Sequence, residues 1–139
     1  MNEIYEGRQS GCFFCELPDE RILCKNKTDE LSHIQHELVH RWLSRYTLTR
    51  FVFPKRHVAS YFDLTKPEVN ACNLVLKELK DAIRKNDSDV TGFNIGINVG
   101  EDAGQTIFHC HIHLIPKRKG DMVDPRGSVR GLIPEKQKY

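Results

Sequence analysis

No stretch of this chain approaches the apolar length needed to cross a bilayer, which excludes a helical membrane span as its organising feature. Charge of either sign is not in excess: 21 Lys and Arg against 19 Asp and Glu leave a formal net charge of +2. A pI near 8.3 is too mild a bias to argue for a nucleic-acid-binding surface. Cysteine is sparse and odd in number, at five, and Met1-Asn2-Glu3-Ile4 does not begin a signal peptide. A disulfide scaffold is therefore not expected, and a reducing, cytoplasmic setting fits better. Internal repeats and low-complexity tracts are lacking too. What remains is a chain of 139 residues, 39% hydrophobic and 29% charged, sized for one domain with a modest core. Residues 1–139 read as that single domain, with 1–11 a loose lead-in and 117–139 an extended tail.

What the chain does have is histidine at every second position, His109, His111 and His113, within the run from Ile107 to Ile115. In an extended strand, alternate side chains share a face, so the three imidazoles would project together. Phe108, Cys110, Ile112 and Leu114 would project from the other face, toward a core. Packing ring nitrogens together without polar partners costs free energy, so such a face is better suited to a charged ligand than to folding. The preceding run Phe93-Asn94-Ile95-Gly96-Ile97-Asn98-Val99 alternates as well. Residues 100–104, Gly-Glu-Asp-Ala-Gly, supply the turn for an antiparallel pairing of the two runs. Asn94, Gly96 and Asn98 then share the histidine face, while Gly104, Gln105 and Thr106 bring amides and a hydroxyl suited to an anionic oxygen.

Elsewhere the pattern is that of a small mixed domain. Phe51-Val52-Phe53 reads as a strand ending at Pro54. Thr65 and Glu68 form a capping box around Pro67, and Val69, Cys72, Leu76, Leu79 and Ile83 follow at helical spacing. Cys72 and Cys110 are core residues on this reading. Between 28 and 45 we expect a short helix or loop from Thr28, then a strand. His33, His36 and His40 lie at helical spacing there, and are read as solvated rather than as a metal face. Beyond Pro116, residues Pro125, Gly127, Gly131 and Pro134 block regular elements. The basic residues of that tail could steer a phosphate-rich substrate.

At these residues the chain resembles the histidine triad family of nucleotide hydrolases and transferases. The family signature, His-x-His-x-His followed by two apolar residues, is complete from His109 to Ile115. The match extends through Asn98 and residues 100–106, and Phe53-Pro54-Lys55-Arg56-His57-Val58 is similar to a second family block. The tail from Gly120 to Arg130 looks like that of a bacterial diadenosine tetraphosphate hydrolase-like subgroup; the matching blocks together span residues 12–24 and 51–135. The resemblance implies an α+β fold: a meander of about five antiparallel strands with one long packed helix and a short one, usually dimerising through its sheet. It implies cleavage at the α-phosphate of a nucleotide through a nucleotidyl-histidine on His111. His113 would contact the phosphoryl oxygens, and His109 with Thr106 would sit near the leaving group. Asn98, Gln105 and Gly104 match substrate-binding positions, and no organic cofactor is implied. Many relatives carry a Gly-His pair before the Pro-Lys-x-His block and an Asp that holds the ribose. Neither is found in residues 37–50.

Cys12-Phe13-Phe14-Cys15 has the two-residue gap common to zinc sites. The resemblance to bacterial members implies that His57 and His109 would complete a structural Cys2His2 zinc. A zinc-bound His109 could not also give a proton to the leaving group. Three functions follow from these residues. The first is a nucleotidyl hydrolase acting, as a homodimer, on a dinucleoside polyphosphate or a nucleoside phosphoramidate. The second is a nucleotide-binding or regulatory protein with weak or vestigial catalysis. The third, a single metal on all three triad histidines, lacks an Asp or Glu to complete it.

Overall fold

The computed structural model describes residues 9–18, 22–25, 31–35 and 49–137, the second and third of these as backbone only. Five strands and one long helix follow in chain order: β1 (Ile22–Lys25), β2 (Leu31–Gln35), β3 (Arg50–Pro54), α1 (Lys66–Asn86), β4 (Val90–Ile97) and β5 (Ile112–Arg118). They form one sheet of order β1-β2-β3-β5-β4, antiparallel at every join. The class is α+β, as the resemblance implied. The meander holds only through β3. The chain then leaves by α1, β4 takes the edge, and β5 inserts between β3 and β4. Among the described residues the additional helical segments are single 3-10 turns at Tyr61–Asp63, Glu101–Ala103 and Val129–Leu132.

The helix begins where its cap residues place it. The Thr65 side chain accepts from the Glu68 amide at 3.3 Å, and the Glu68 carboxylate accepts from the Thr65 amide at 2.8 Å. At the other end the Asp87 amide donates to Ile83 O, and Arg118 clasps the Asp87 carboxylate at 2.6 and 2.9 Å, tying the helix end to β5. The buried face differs from the spacing expected. It comprises Glu68, Ala71, Cys72, Val75, Leu79 and Ile83, with Leu76 only partly covered and Val69 at the margin. These pack with Val52, Val90, Ile112 and Leu114 into an apolar core on one side of the sheet. A second cluster, Cys12, Phe14, Cys15, Leu17, Phe51 and Phe53, lies apart from it. Neighbouring residues of β3 thus serve different clusters, as strand alternation requires.

Several expectations are revised. Leu31–Gln35 is a strand paired to both β1 and β3, where a helix or loop was expected from Thr28; the sheet needs that strand to link its outer pair. His36 and His40 lie outside the described residues. The ladder of β5 begins only at Ile112, because Ile97 opposite Ile112 is the last pair with β4. Residues 107–111 instead run beside the segment after β3, where the Cys110 amide donates to Val58 O at 2.6 Å. Phe108 is accordingly exposed rather than in the core, and Ile95 on the edge strand is exposed too. Pro116 does not end β5. The last pair with β3 is Arg50 opposite Leu114, so at Pro116 only β4 is a neighbour and the missing N–H costs little. The described part of the tail is otherwise turn-rich, as expected.

Candidate active site and metal centre

The three histidines gather on one side, but that side is not open. His109 is 0% exposed and His111 9%, covered by the Cys12–Leu17 segment. Burial is tolerated because each ring has a carbonyl partner. His109 Nε2 donates to Pro54 O at 2.7 Å, His111 Nδ1 to His109 O at 2.8 Å and His113 Nδ1 to Gly96 O at 3.2 Å. A carbonyl oxygen only accepts, so each of these nitrogens carries the proton and the other nitrogen of the ring keeps its lone pair. Burial holds all three imidazoles below the usual histidine value, His109 at about 4, although each carbonyl bond pulls the other way. They are neutral at pH 7, as a nucleophile or a metal ligand must be.

Aromatic rings set the imidazole planes. Phe51, opposite His113 in the β3–β5 register, meets His113 edge-on at 4.8 Å and His111 at 5.5 Å between centroids. Phe14 lies 5.0 Å from His111 and 5.6 Å from His109. Neither ring was singled out as a site residue from sequence. The signal was present, since Phe51 and Phe53 flank Val52 and so must face away from the helix.

The loop between β4 and β5 is shaped by two glycines at positive φ, Gly100 at 89° and Gly104 at 84°, which bracket the turn over residues 101–103. Gln105 is buried and its side chain fully engaged. Oε1 accepts from the Gly100 amide at 2.9 Å, while Nε2 donates to Ala59 O at 2.8 Å and Ile107 O at 3.2 Å. Asn98 Nδ2 reaches Gly104 O at 3.5 Å, and Thr106 is exposed. Gly96 stands opposite His113, leaving room above that ring as its small size suggested.

The Cys-x-x-Cys turn and two histidines converge as expected. One ligand atom from each of Cys12, Cys15, His57 and His109 lies within 4.8 Å of all the others. His109 Nδ1 is 3.5 Å from both sulfurs, and His57 Nδ1 is 3.4 Å from Cys15 Sγ. Around a tetrahedral zinc, a thiolate at about 2.3 Å and an imidazole at about 2.05 Å stand roughly 3.6 Å apart. The spacing fits, and so does the tautomer: with Nε2 donating to Pro54 O, His109 turns its lone pair toward the thiols. The Gln9 amide also donates to Cys15 Sγ at 3.4 Å. His57 is delivered by its neighbour, since Arg56 makes a two-pronged pair with Glu68 at 2.8 and 3.0 Å and anchors the segment to the start of α1. Cys72 and Cys110 are different. Both are buried in apolar surroundings, and burial pushes their thiols up to about 12 and about 11, so they stay protonated. No disulfide joins Cys12, Cys15, Cys72 or Cys110.

A small α+β domain whose buried imidazoles each rest on a backbone carbonyl, with a Cys2His2 corner beside them, defines a narrow class. The chain belongs to the HIT domain family, which matches residues 37–120. A HIT family protein from Bacillus anthracis is similar in structure over 80% of this chain and 76% of its own, with a TM-score of 0.67 and 27% identity. A Zn-bound histidine triad family protein from Mycobacterium smegmatis is similar over 82% and 80%, with a TM-score of 0.64 and 25% identity. In sequence, the bis(5'-nucleosyl)-tetraphosphatase of Schizosaccharomyces pombe is 40% identical over 70 residues, which is 50% of this chain and 38% of that protein. The chain spans between 16% and 60% of the length of the first three curated relatives it matches.

Proposed function

We propose that this protein is a nucleotidyl hydrolase, cleaving at the α-phosphate of a dinucleoside polyphosphate or nucleoside phosphoramidate through a nucleotidyl-histidine on His111. One observation carries the reading. The Nδ1 proton of His111 is held by the His109 carbonyl at 2.8 Å, so Nε2 is left as a neutral, fixed lone pair. In the first step Nε2 attacks phosphorus and the bond to the leaving atom breaks; a leaving phosphate oxygen keeps the electron pair, and the nitrogen of a phosphoramidate takes the pair together with a proton from solvent. The imidazole becomes cationic, and the carbonyl already aimed at Nδ1–H stabilises it. In the second step a water attacks, the P–N bond breaks and returns its pair to Nε2, and the water's proton passes to solvent.

His113 is assigned to contact a phosphoryl oxygen, and its ring centroid 5.0 Å from that of His111 supports this. Thr106 and Asn98 are assigned to the leaving-group and phosphate sides, and Gly104 to close backbone approach. Gln105 acts by holding the loop, because its amide is already engaged. His109 is assigned as a metal ligand and not as a proton donor, since one nitrogen faces Pro54 O and the other the thiols. Zinc, when bound by Cys12, Cys15, His57 and His109, supplies a cross-link between the N-terminal segment and the sheet. The reading needs no organic cofactor, and the substrate is a small nucleotide. The edge position of β4 and the exposed Ile95 support a homodimer joined there, and cysteines kept as thiols, Cys72 and Cys110 among them, suit a cytoplasmic setting. No helix among the described residues is long and apolar enough to cross a membrane.

The test uses purified protein and diadenosine tetraphosphate. Acid quenching and peptide mass spectrometry should find a nucleotidyl adduct on His111, and His111→Gly should lower turnover about 10³-fold or more. Full turnover in that variant overturns the assignment. Tight nucleotide binding with no turnover by the wild type favours a binding protein instead.

A further inference from the structure

The Cys12–Cys15 turn does more at this site than close a metal corner. It carries Phe14, whose ring lies 5.0 Å from that of His111 at an interplanar angle of 42°. On the other flank, His109 turns its ring to Cys12 and Cys15 at 3.5 Å while its own carbonyl holds His111 Nδ1 at 2.8 Å. Two separate routes therefore run from the four-residue corner to the same imidazole. One is a packed ring and the other is the backbone of a ligand. We propose that this corner is a positioning element for the nucleophile: ligation of Cys12, Cys15, His57 and His109 presses Phe14 onto His111 and fixes the carbonyl that orients it. The proposal rests on His111 being the nucleophile only in its consequence for rate, since the geometry it asserts can be read without any substrate.

Two features make this more than core filling. Phe14 also packs on Phe53 at 4.6 Å, so a purely structural ring would report its loss as stability alone. His111 is buried between two rings, Phe14 at 5.0 Å and Phe51 at 5.5 Å, and only the first belongs to the four-residue corner's own turn. An imidazole freed to rotate about its χ angles loses the alignment that an in-line attack requires, and a small misplacement costs a large factor in rate. Substrate affinity depends on other groups and should change little. A positioning role thus predicts a fall in kcat with KM retained, whereas a stability role leaves both unchanged in the folded variant.

The experiment has an arm that needs no turnover. Carbethoxylation of His111 by diethyl pyrocarbonate, followed by peptide mass spectrometry, is compared in metal-loaded and chelator-stripped wild type and in Phe14→Leu. Labelling should rise about tenfold in both the stripped protein and the variant, and should slow again when zinc is returned to the stripped protein. The kinetic arm uses Phe14→Leu, which should still bind one equivalent of cobalt with its thiolate absorption band. It should keep KM within about twofold, lose about tenfold or more in kcat, and be rescued to within about threefold by Phe14→Tyr. Unchanged labelling of His111 on metal removal overturns the proposal, and so does wild-type kcat in Phe14→Leu. Metal-dependent labelling in a wild type that turns over no nucleotide leaves the positioning intact and refutes the hydrolase reading.

Discussion

Strands β3 and β5 present two opposite faces that differ in every respect except backbone. Val52, Ile112 and Leu114 join α1 in an apolar core, whereas Phe51 and Phe53, with His109 and His111 just ahead of β5, meet Phe14 of the Cys12–Leu17 segment, and His113 packs on Phe51. On the helix side the core coheres by burial, with ion pairs at the two ends of α1, and a change of shape is felt as a cavity. On the histidine side, each buried ring has its own carbonyl, and orientation is set by directional bonds. One face is therefore built for stability and the other for alignment. The contrast explains why cysteine occurs on both faces with opposite chemistry: Cys72 and Cys110 are locked as thiols, while Cys12 and Cys15 face ring nitrogens.

The comparison can be broken most severely at the metal corner. Replacing Cys12 and Cys15 together by alanine should abolish metal binding and remove about 4 kcal/mol or more of stability, read by metal analysis and chemical denaturation. Leu79→Ala, on the helix face, should cost about 3 kcal/mol as a cavity mutant yet leave kcat and metal content unchanged at a temperature where it stays folded. Acid sharpens the distinction on a smaller scale. His109, His111 and His113 are held below the usual histidine value by burial, so between that value and the folded ones the unfolded chain binds more protons. Stability should be complete above about pH 6.5 and fall as pH drops toward 4, by on the order of 1 kcal/mol over the first unit in chelator-stripped protein. The extra cost of Leu79→Ala should stay constant over that window, because α1 contains no histidine.

Much of the helix and of the site was legible in the primary structure because it rests on local rules. Thr65, Pro67 and Glu68 state a helix start in four residues, and the capping box is formed as read. The histidine triad and the Cys-x-x-Cys turn are short motifs whose chemistry survives any detail of packing. The failures came where distant segments decide. Leu31–Gln35 has helical spacing among its apolar residues, but flanking strands on both sides recruit it into the sheet. The start of β5 depends on where β4 ends, which no residue in 107–111 reports. The covered state of the histidines was missed because the cover comes from Cys12 to Leu17, about a hundred positions earlier in the chain. The helix face is a near miss of another kind: Ala71 and Val75 share helical spacing with Cys72, Leu79 and Ile83 just as Val69 and Leu76 do, and packing with Val52 and Leu114 decides between the two sets.

Glu68 serves twice, as the carboxylate of the capping box and as the partner of Arg56. Burial works against its charge, yet the Arg56 and Thr65 bonds win and hold it below the ordinary carboxylate range. One side chain thus answers both for nucleating α1 and for seating the residue beside His57. Because both tasks use the same carboxylate, the first helical turn and the Cys2His2 corner are joined through a single residue. Sequence drift at this position would then disable the far corner without touching any atom a substrate meets.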